Sequence, residues 1–301
     1  MGFLEKTDFS KGKVKLGKLH IIILATIILV VFGMSTQRKG SKEAVDLPIV
    51  PTSAPTSELT PTPSLTPIPT PIPLPDSKVY GPCLNIPVLM YHHVQPPEEA
   101  ASKNQKNINV NSDVFASQMA YLVQKGYRTI TPDELLAGLQ TGSLLGKTVL
   151  ITFDDGYADF YTYAYPELVK NNFRAIVFLS TGLMGAPDYL GWPQISEMHG
   201  GGLVDFEDHT WSHKNMGNAS EELATYEIGA AKSQLEERGL GPVTSFAYPY
   251  GGEGAAAKEV LKDLGIKTAF TTVPGNYQCA KLPYSFRRTR IGNAPLSAYG
   301  L

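Results

Sequence analysis

The chain has 301 residues, 43% hydrophobic content and a formal net charge of −2 at pH 7. That length buries one large core or two small ones, and the near-balanced charge gives no case for a nucleic-acid partner. Two cysteines, Cys83 and Cys279, exclude a disulfide framework and a cysteine-based zinc cluster, and leave room for one bridge outside the cell.

The first fifty residues are not domain material. Lys6, Lys11, Lys13, Lys15 and Lys18 precede an apolar run from Ile21 to Met34, the order of a secretory signal. As a helix that run covers about 21 Å at ~1.5 Å per residue, short of the ~30 Å hydrocarbon core unless flanking residues snorkel. STQRKGSK follows, without a small-x-small cleavage site. Residues 1–20 therefore read as a cytoplasmic basic segment and 21–34 as a retained signal-anchor, with a cleaved signal peptide as the alternative. Either way the remainder is expected outside the cytoplasm, anchored to the membrane or secreted.

Residues 35–80 read as a disordered Pro/Thr/Ser-rich linker. In DLPIVPTSAPTSELTPTPSLTPIPTPIPLPDS proline recurs every two to six residues with almost no charge. Such a stretch cannot bury a core and stays near polyproline II. At ~3.1 Å per residue it reaches up to about 100 Å, a tether suited to an enzyme working in a wall above a membrane.

From Ile86 onward strands and helices alternate. IPVLMY is a short apolar strand. SDVFASQMAYLVQKG is a helix with Ser112 as N-cap, Gly126 as stop, and Phe115, Met119, Leu122 and Val123 on one face. YRTI is a strand, and Thr131 with Pro132 opens a helix through Leu139. KTVLITF and RAIVFLS are strands, and GGLVDFE leads into another. EELATYEIGAAKSQLEERG is a long amphipathic helix. TSFAYPYG, a helix over about 255–264, TAFTT and FRRTRI complete the chain. Alternation of this kind argues for about seven parallel α/β units, closed or incomplete as a barrel. Catalytic groups then collect at the carboxyl ends of strands.

Five polar clusters sit at such ends. In TFDDGY, Asp154 and Asp155 are adjacent like charges, which repel unless a cation lies between them or one holds a proton. In HTWSH, His209 and His213 are four residues apart, on one helical face or flanking a tight loop, a spacing that two ligands of one metal can share. Alone, the acidic pair could bind magnesium or hold a loop, and the histidines could line a half-exposed loop. Together, Asp155, His209 and His213 supply a three-ligand set suited to zinc or a similar metal, leaving Asp154 as a free base.

The remaining clusters complete a hydrolytic site. In SFAYPYGG, Pro249 fixes a turn that can present the Tyr250 N–H to a developing oxyanion while the ring lines a groove; an ordinary turn is the alternative. In MYHHV, His92 or His93 is the remaining candidate for the acid that protonates a leaving group. His199 in SEMHGGG reads as a helix-end residue. In FRRTRI, alternation turns two of four residues toward the functional side. An arginine there beside Asp154 would lower its pKa and hold it in place, against surface salt bridging as the alternative.

With TFDDGY, HTWSH and FAYPYG in that order and spacing, residues 86–291 resemble carbohydrate esterase family 4, the polysaccharide deacetylases. The resemblance implies a deformed (β/α) barrel over 85–301, a divalent metal, usually zinc, and hydrolysis of N-acetyl groups from an amino-sugar polymer. It also implies roles: Asp154 as general base, Asp155, His209 and His213 as metal ligands, and Tyr250 as the oxyanion donor. Two departures stand out. Ala247 occupies the place where members commonly carry an arginine, and no leucine-and-histidine motif follows FRRTRI. Both, with the early PVLMYHHV, resemble the branch that deacetylates poly-β-1,6-N-acetylglucosamine of biofilm exopolysaccharides. That branch implies His92 as the acid and Arg288 in place of the missing arginine. Peptidoglycan deacetylation and non-catalytic carbohydrate binding are the rival expectations.

Overall fold

The computed structural model describes residues 75–301. The basic segment, the apolar run and nearly all of the Pro/Thr-rich stretch lie outside the described residues. Among the described residues no helix is long and apolar enough to cross a membrane.

Among the described residues there are twelve strands: β1 (Cys83–Asn85), β2 (Val88–Tyr91), β3 (His93–Gln95), β4 (Asn109–Asn111), β5 (Tyr127–Thr129), β6 (Lys147–Phe153), β7 (Ala175–Leu179), β8 (Val204–Asp208), β9 (Ser245–Ala247), β10 (Thr268–Phe270), β11 (Tyr277–Cys279) and β12 (Thr289–Arg290). The helices are α1 (Ser77–Tyr80), α2 (Pro97–Ser102), α3 (Ser112–Gln124), α4 (Pro132–Thr141), α5 (Tyr165–Asn171), α6 (Trp192–Gly200), α7 (Glu221–Glu236) and α8 (Ala255–Asp263).

The main sheet runs β10-β9-β8-β7-β6-β2-β12, with β5 also paired to β6, and all its pairings are parallel. Its two ends meet. The Phe286 N–H donates to the Ala269 carbonyl at 2.9 Å, and the Thr271 N–H donates to the Phe286 carbonyl at 2.8 Å. The curled parallel sheet with its helices is consistent with a deformed (β/α) barrel. The deformation is local: β8 and β9 share one register pair, Asp208 with Phe246. Beside it the buried Glu207 carboxylate takes the Thr244 and Ser245 N–H groups at 3.0 and 2.9 Å.

Strands buried on both faces explain the continuous apolar runs of β6 and β7. Period-two alternation divides their side chains between two cores. Leu89, Tyr91, Ile151, Phe153, Val177 and Leu179 pack outward with Phe115, Met119 and Leu122 of α3 and the other helices. Val88, Leu150, Ile176, Phe178, Phe270 and Phe286 form the second core. The Phe178 and Phe270 rings are 5.6 Å apart although β8 and β9 lie between their strands. This second core therefore fills the concave side, and polar groups that continue its alternation point into the mouth of the curl.

Two local expectations change. Asn111, not Ser112, is the N-cap of α3. Val123 is 51% exposed, and the buried stripe is Phe115, Gln118, Met119 and Leu122. Val123 lies at the edge of that stripe, where the helix surface turns to solvent. Gln118 belongs in it because it accepts the Tyr91 hydroxyl at 3.0 Å and donates to the Gly292 and Ala294 carbonyls. The cysteines do meet: β1 and β11 pair antiparallel with Cys83 opposite Cys279, joined as a disulfide.

Candidate active site

β6 ends at Phe153, and the Asp154 N–H donates to the Tyr91 carbonyl at 3.0 Å, fixing the strand end. The chain then turns sharply, with φ of +74° at Asp155 and +80° at Gly156. A Cβ on Gly156 would stand 2.5 Å from Leu179 Cδ2, so the turn needs glycine for space as well as for φ. The turn separates the two carboxylates, which take different partners.

Asp154 faces Arg288, fully buried just before β12. Arg288 Nη1 and Nη2 donate to the two Asp154 oxygens at 2.6 and 2.7 Å, a bidentate pair. Arg288 is itself held by the Thr271 carbonyl at 2.9 Å and Thr152 Oγ1 at 3.2 Å. Burial would raise the Asp154 carboxyl. The Arg288 charge, His209 and the Arg288 hydrogen bond outweigh it, so the group sits below the usual carboxylate range.

Asp155 faces His209 and His213. Its Oδ1 lies 3.3 Å from His209 Nε2 and 3.0 Å from His213 Nε2. The three residues each offer one ligand atom within 4.8 Å of the others. Asp155 Oδ1 is buried, and no donor among the described residues meets it in hydrogen-bonding geometry. His209 Nδ1–H donates to the Ala247 carbonyl at 2.7 Å, and His213 Nδ1 lies 3.1 Å from the Tyr250 hydroxyl. These outer contacts leave both Nε2 lone pairs for a cation, the tautomer that metal ligation needs. Burial would raise Asp155, but the two imidazoles hold it well below the usual range. Burial would lower His213, yet Asp155 and Asp154 raise it.

The histidines flank a tight loop rather than sharing a helix face, with positive φ at Thr210 and His213. Asp208 takes the Thr210 N–H at 2.7 Å. Glu227 of α7 takes the Ser212 N–H at 2.8 Å and the Ser212 hydroxyl at 2.6 Å, while its carbonyl accepts the Trp211 N–H at 2.8 Å.

Alternation along β2 separates the adjacent histidines. His92 follows the concave side, where the charges of Asp154 and Asp155 act on it; burial lowers its pKa, the aspartates partly offset this, and Arg290 and Arg288 lower it further. His93 follows Tyr91 outward and is buried. Its Nδ1 pairs with Asp159 at 2.5 Å, and its ring stacks on Tyr157 at 3.6 Å. Tyr250 sits in a 3₁₀ turn at φ +59° with its ring 4.6 Å from His213 and largely exposed, open to a ligand from solvent. His199 lies in the last turn of α6. The sequence reading missed Tyr157, whose hydroxyl faces Asp155 and Tyr189 and stays protonated because burial and the Asp155 charge raise it. It also missed Glu227.

The sequence profile described as "Polysaccharide deacetylase" matches residues 141–269. The Streptococcus pyogenes deacetylase PplD, solved in complex with acetate, is 32% identical with a TM-score of 0.63, covering 69% of this chain and 92% of that one. The chain belongs to the polysaccharide deacetylase family. This deacetylase is also similar to IcaB from Ammonifex degensii, at 27% identity and TM-score 0.63 over 72% of this chain and 94% of that one. The poly-beta-1,6-N-acetyl-D-glucosamine N-deacetylase of Staphylococcus aureus is 29% identical over 185 residues, 57% of this chain and 64% of that protein.

Proposed function

We propose that the protein removes acetyl groups from N-acetylglucosamine units of an extracellular polysaccharide, with poly-β-1,6-N-acetylglucosamine as the polymer. The observation that carries this reading is the division of two adjacent carboxylates, one onto a buried arginine and one onto two imidazoles. A binding module has no use for an ionised base beside a ligand set. The polymer follows the similarity to the staphylococcal enzyme. An extracytoplasmic setting, with residues 21–34 as a signal-anchor or signal peptide and 85–301 as the deacetylase domain, agrees with it.

Asp155, His209 and His213 fit a divalent cation, because an orphaned buried carboxylate oxygen and two free Nε2 atoms converge on one point. Two imidazoles and a carboxylate favour zinc. A cation bound there would polarise the acetamide carbonyl and acidify a water molecule. Asp154 takes a proton from the attacking water, and Arg288 keeps the carboxylate ionised and aimed. The Tyr250 N–H donates to the oxyanion formed on the carbonyl. His92 gives a proton to the nitrogen as the C–N bond breaks, and acetate and a free amine leave.

The test is acetate release from β-1,6-linked N-acetylglucosamine oligomers and from peptidoglycan fragments, with zinc supplied. Greater release from the β-1,6 oligomers is expected. Greater release from peptidoglycan would reassign the polymer, and none from any acetylated sugar would leave a non-catalytic binding protein.

A further inference from the structure

Beside the aspartates, His92 also lines a second hollow of about 250 Å³, large enough for one sugar ring. Its polar lining residues are His92, Asn107, Asn109, Arg290 and Tyr299, and none is acidic. Arg290 pairs in register with Met90 of β2, so it stands at the carboxyl end of β12 as His92 stands at that of β2. Alternation places Arg290 on the same side as Arg288, one step nearer the mouth. The inner arginine is consumed by Asp154. The outer one is exposed and makes no ion pair or hydrogen bond among the described residues. Asn109 is already committed to the Gln95 backbone. The groups left to meet a ligand are therefore a guanidinium, the Asn107 amide, the Tyr299 hydroxyl, which accepts the Gly292 N–H and can still donate, and one edge of His92.

We propose that this hollow holds the sugar next to the one being deacetylated, and that Arg290 makes it selective for an acetamido sugar over one that already carries a free amine. The inference rests on the deacetylase reading. Deacetylation turns a neutral acetamide into an ammonium group, so each turnover places a cation on the polymer. A neighbouring ammonium in the hollow meets the Arg290 charge, while the carboxylates that reach His92 are already engaged, Asp154 by Arg288 and Asp155 by the two imidazoles. An acetamide meets no such repulsion and can accept a hydrogen bond from the guanidinium. The consequence is a spaced product pattern: the enzyme avoids units beside those already converted.

The test uses the full-length protein with zinc and three β-1,6-linked trimers, one fully acetylated and two with a single free amine at either end. Acetate loss from the central unit is followed by mass spectrometry. For one of the two amine-bearing isomers kcat/KM should fall about threefold or more, the scale of two unit charges about 7 Å apart in water. That ratio should move toward one in Arg290→Gln, persist in Arg290→Lys, and shrink as salt rises toward 1 M. Equal rates on all three trimers would overturn the inference, and so would discrimination that persists in Arg290→Gln. No release from any trimer would overturn the deacetylase reading and this inference with it.

Discussion

Asp154 and Asp155 are neighbours in sequence, yet each is ionised for a different reason. Arg288 holds Asp154 by two charge-assisted bonds in a dry setting, and such a pair loses about 3–5 kcal/mol when one partner is removed. Asp154→Asn keeps the shape and removes the proposed base. Turnover should fall by about a hundredfold to ten-thousandfold, the usual worth of general-base catalysis. Zinc affinity, measured by calorimetric titration, should stay near wild type, because Asp155, His209 and His213 are untouched. Normal acetate release by this variant would sink the base assignment. The adjacent histidines give a second expectation at this scale. His92→Ala should lose activity with zinc bound. His93→Ala should chiefly lower the melting temperature, because it removes the Asp159 pair and the Tyr157 stack. Inactive, normally stable His93→Ala would exchange the two assignments.

The loop between β8 and α7 shows what an element contributes that a motif does not. HTWSH states which residues could bind a metal, but the geometry of its two imidazoles comes from Asp208 beneath it and Glu227 across it. Glu227→Ala frees the Ser212 N–H and hydroxyl and leaves a loop with two positive-φ residues less constrained. Zinc affinity should drop about tenfold to a hundredfold, the range for outer partners of metal ligands. Glu227→Gln, which still accepts one bond, should recover part of it. Unchanged affinity in Glu227→Ala would reduce this carboxylate to a packing role. The strands of the main sheet, the helices α3, α4, α7 and α8 and the aspartate and histidine motifs were legible, because burial and ligand spacing act locally along the chain. Helices α2 and α5, most of α6 and the short strands β1, β3, β4 and β11 were not read. Glu227 left a signal that went unread. It occupies the apolar stripe Ala224, Ile228, Ala231 and Leu235 of α7, where a carboxylate has no reason to be without a partner. The resemblance named His92 over His93, and strand alternation from Tyr91 offered a physical reason for the same choice, since it carries His93 outward. An arginine of FRRTRI beside Asp154 was expected, and Arg288 is there; only the bidentate form of its grip was out of reach, because it depends on a contact between residues 134 positions apart.

At the scale of the whole molecule, the closing segment that carries Arg288 is secured from outside the barrel. Gln278 of β11 donates to the Ile86 and Arg287 carbonyls and accepts the Arg287 N–H. β11 is in turn bound to β1 through Cys83 and Cys279, 196 residues apart. A covalent link across so long a loop restricts the unfolded chain, and chain entropy alone gives up to about 5 kcal/mol. Cys83→Ala with Cys279→Ala should therefore lower the melting temperature, by about 10–20 °C at the upper limit for a domain of this size. Reductant should shift the wild type toward the double variant and leave the double variant unmoved, as read by scanning calorimetry. Both cysteines lie away from Asp154 and the three converging ligands, so acetate release at 25 °C should survive their loss. If activity fell before stability did, the bridge would be holding Arg288 in register rather than only restricting the unfolded chain. Equal melting temperatures for wild type and the double variant would remove the bridge from the account of stability altogether.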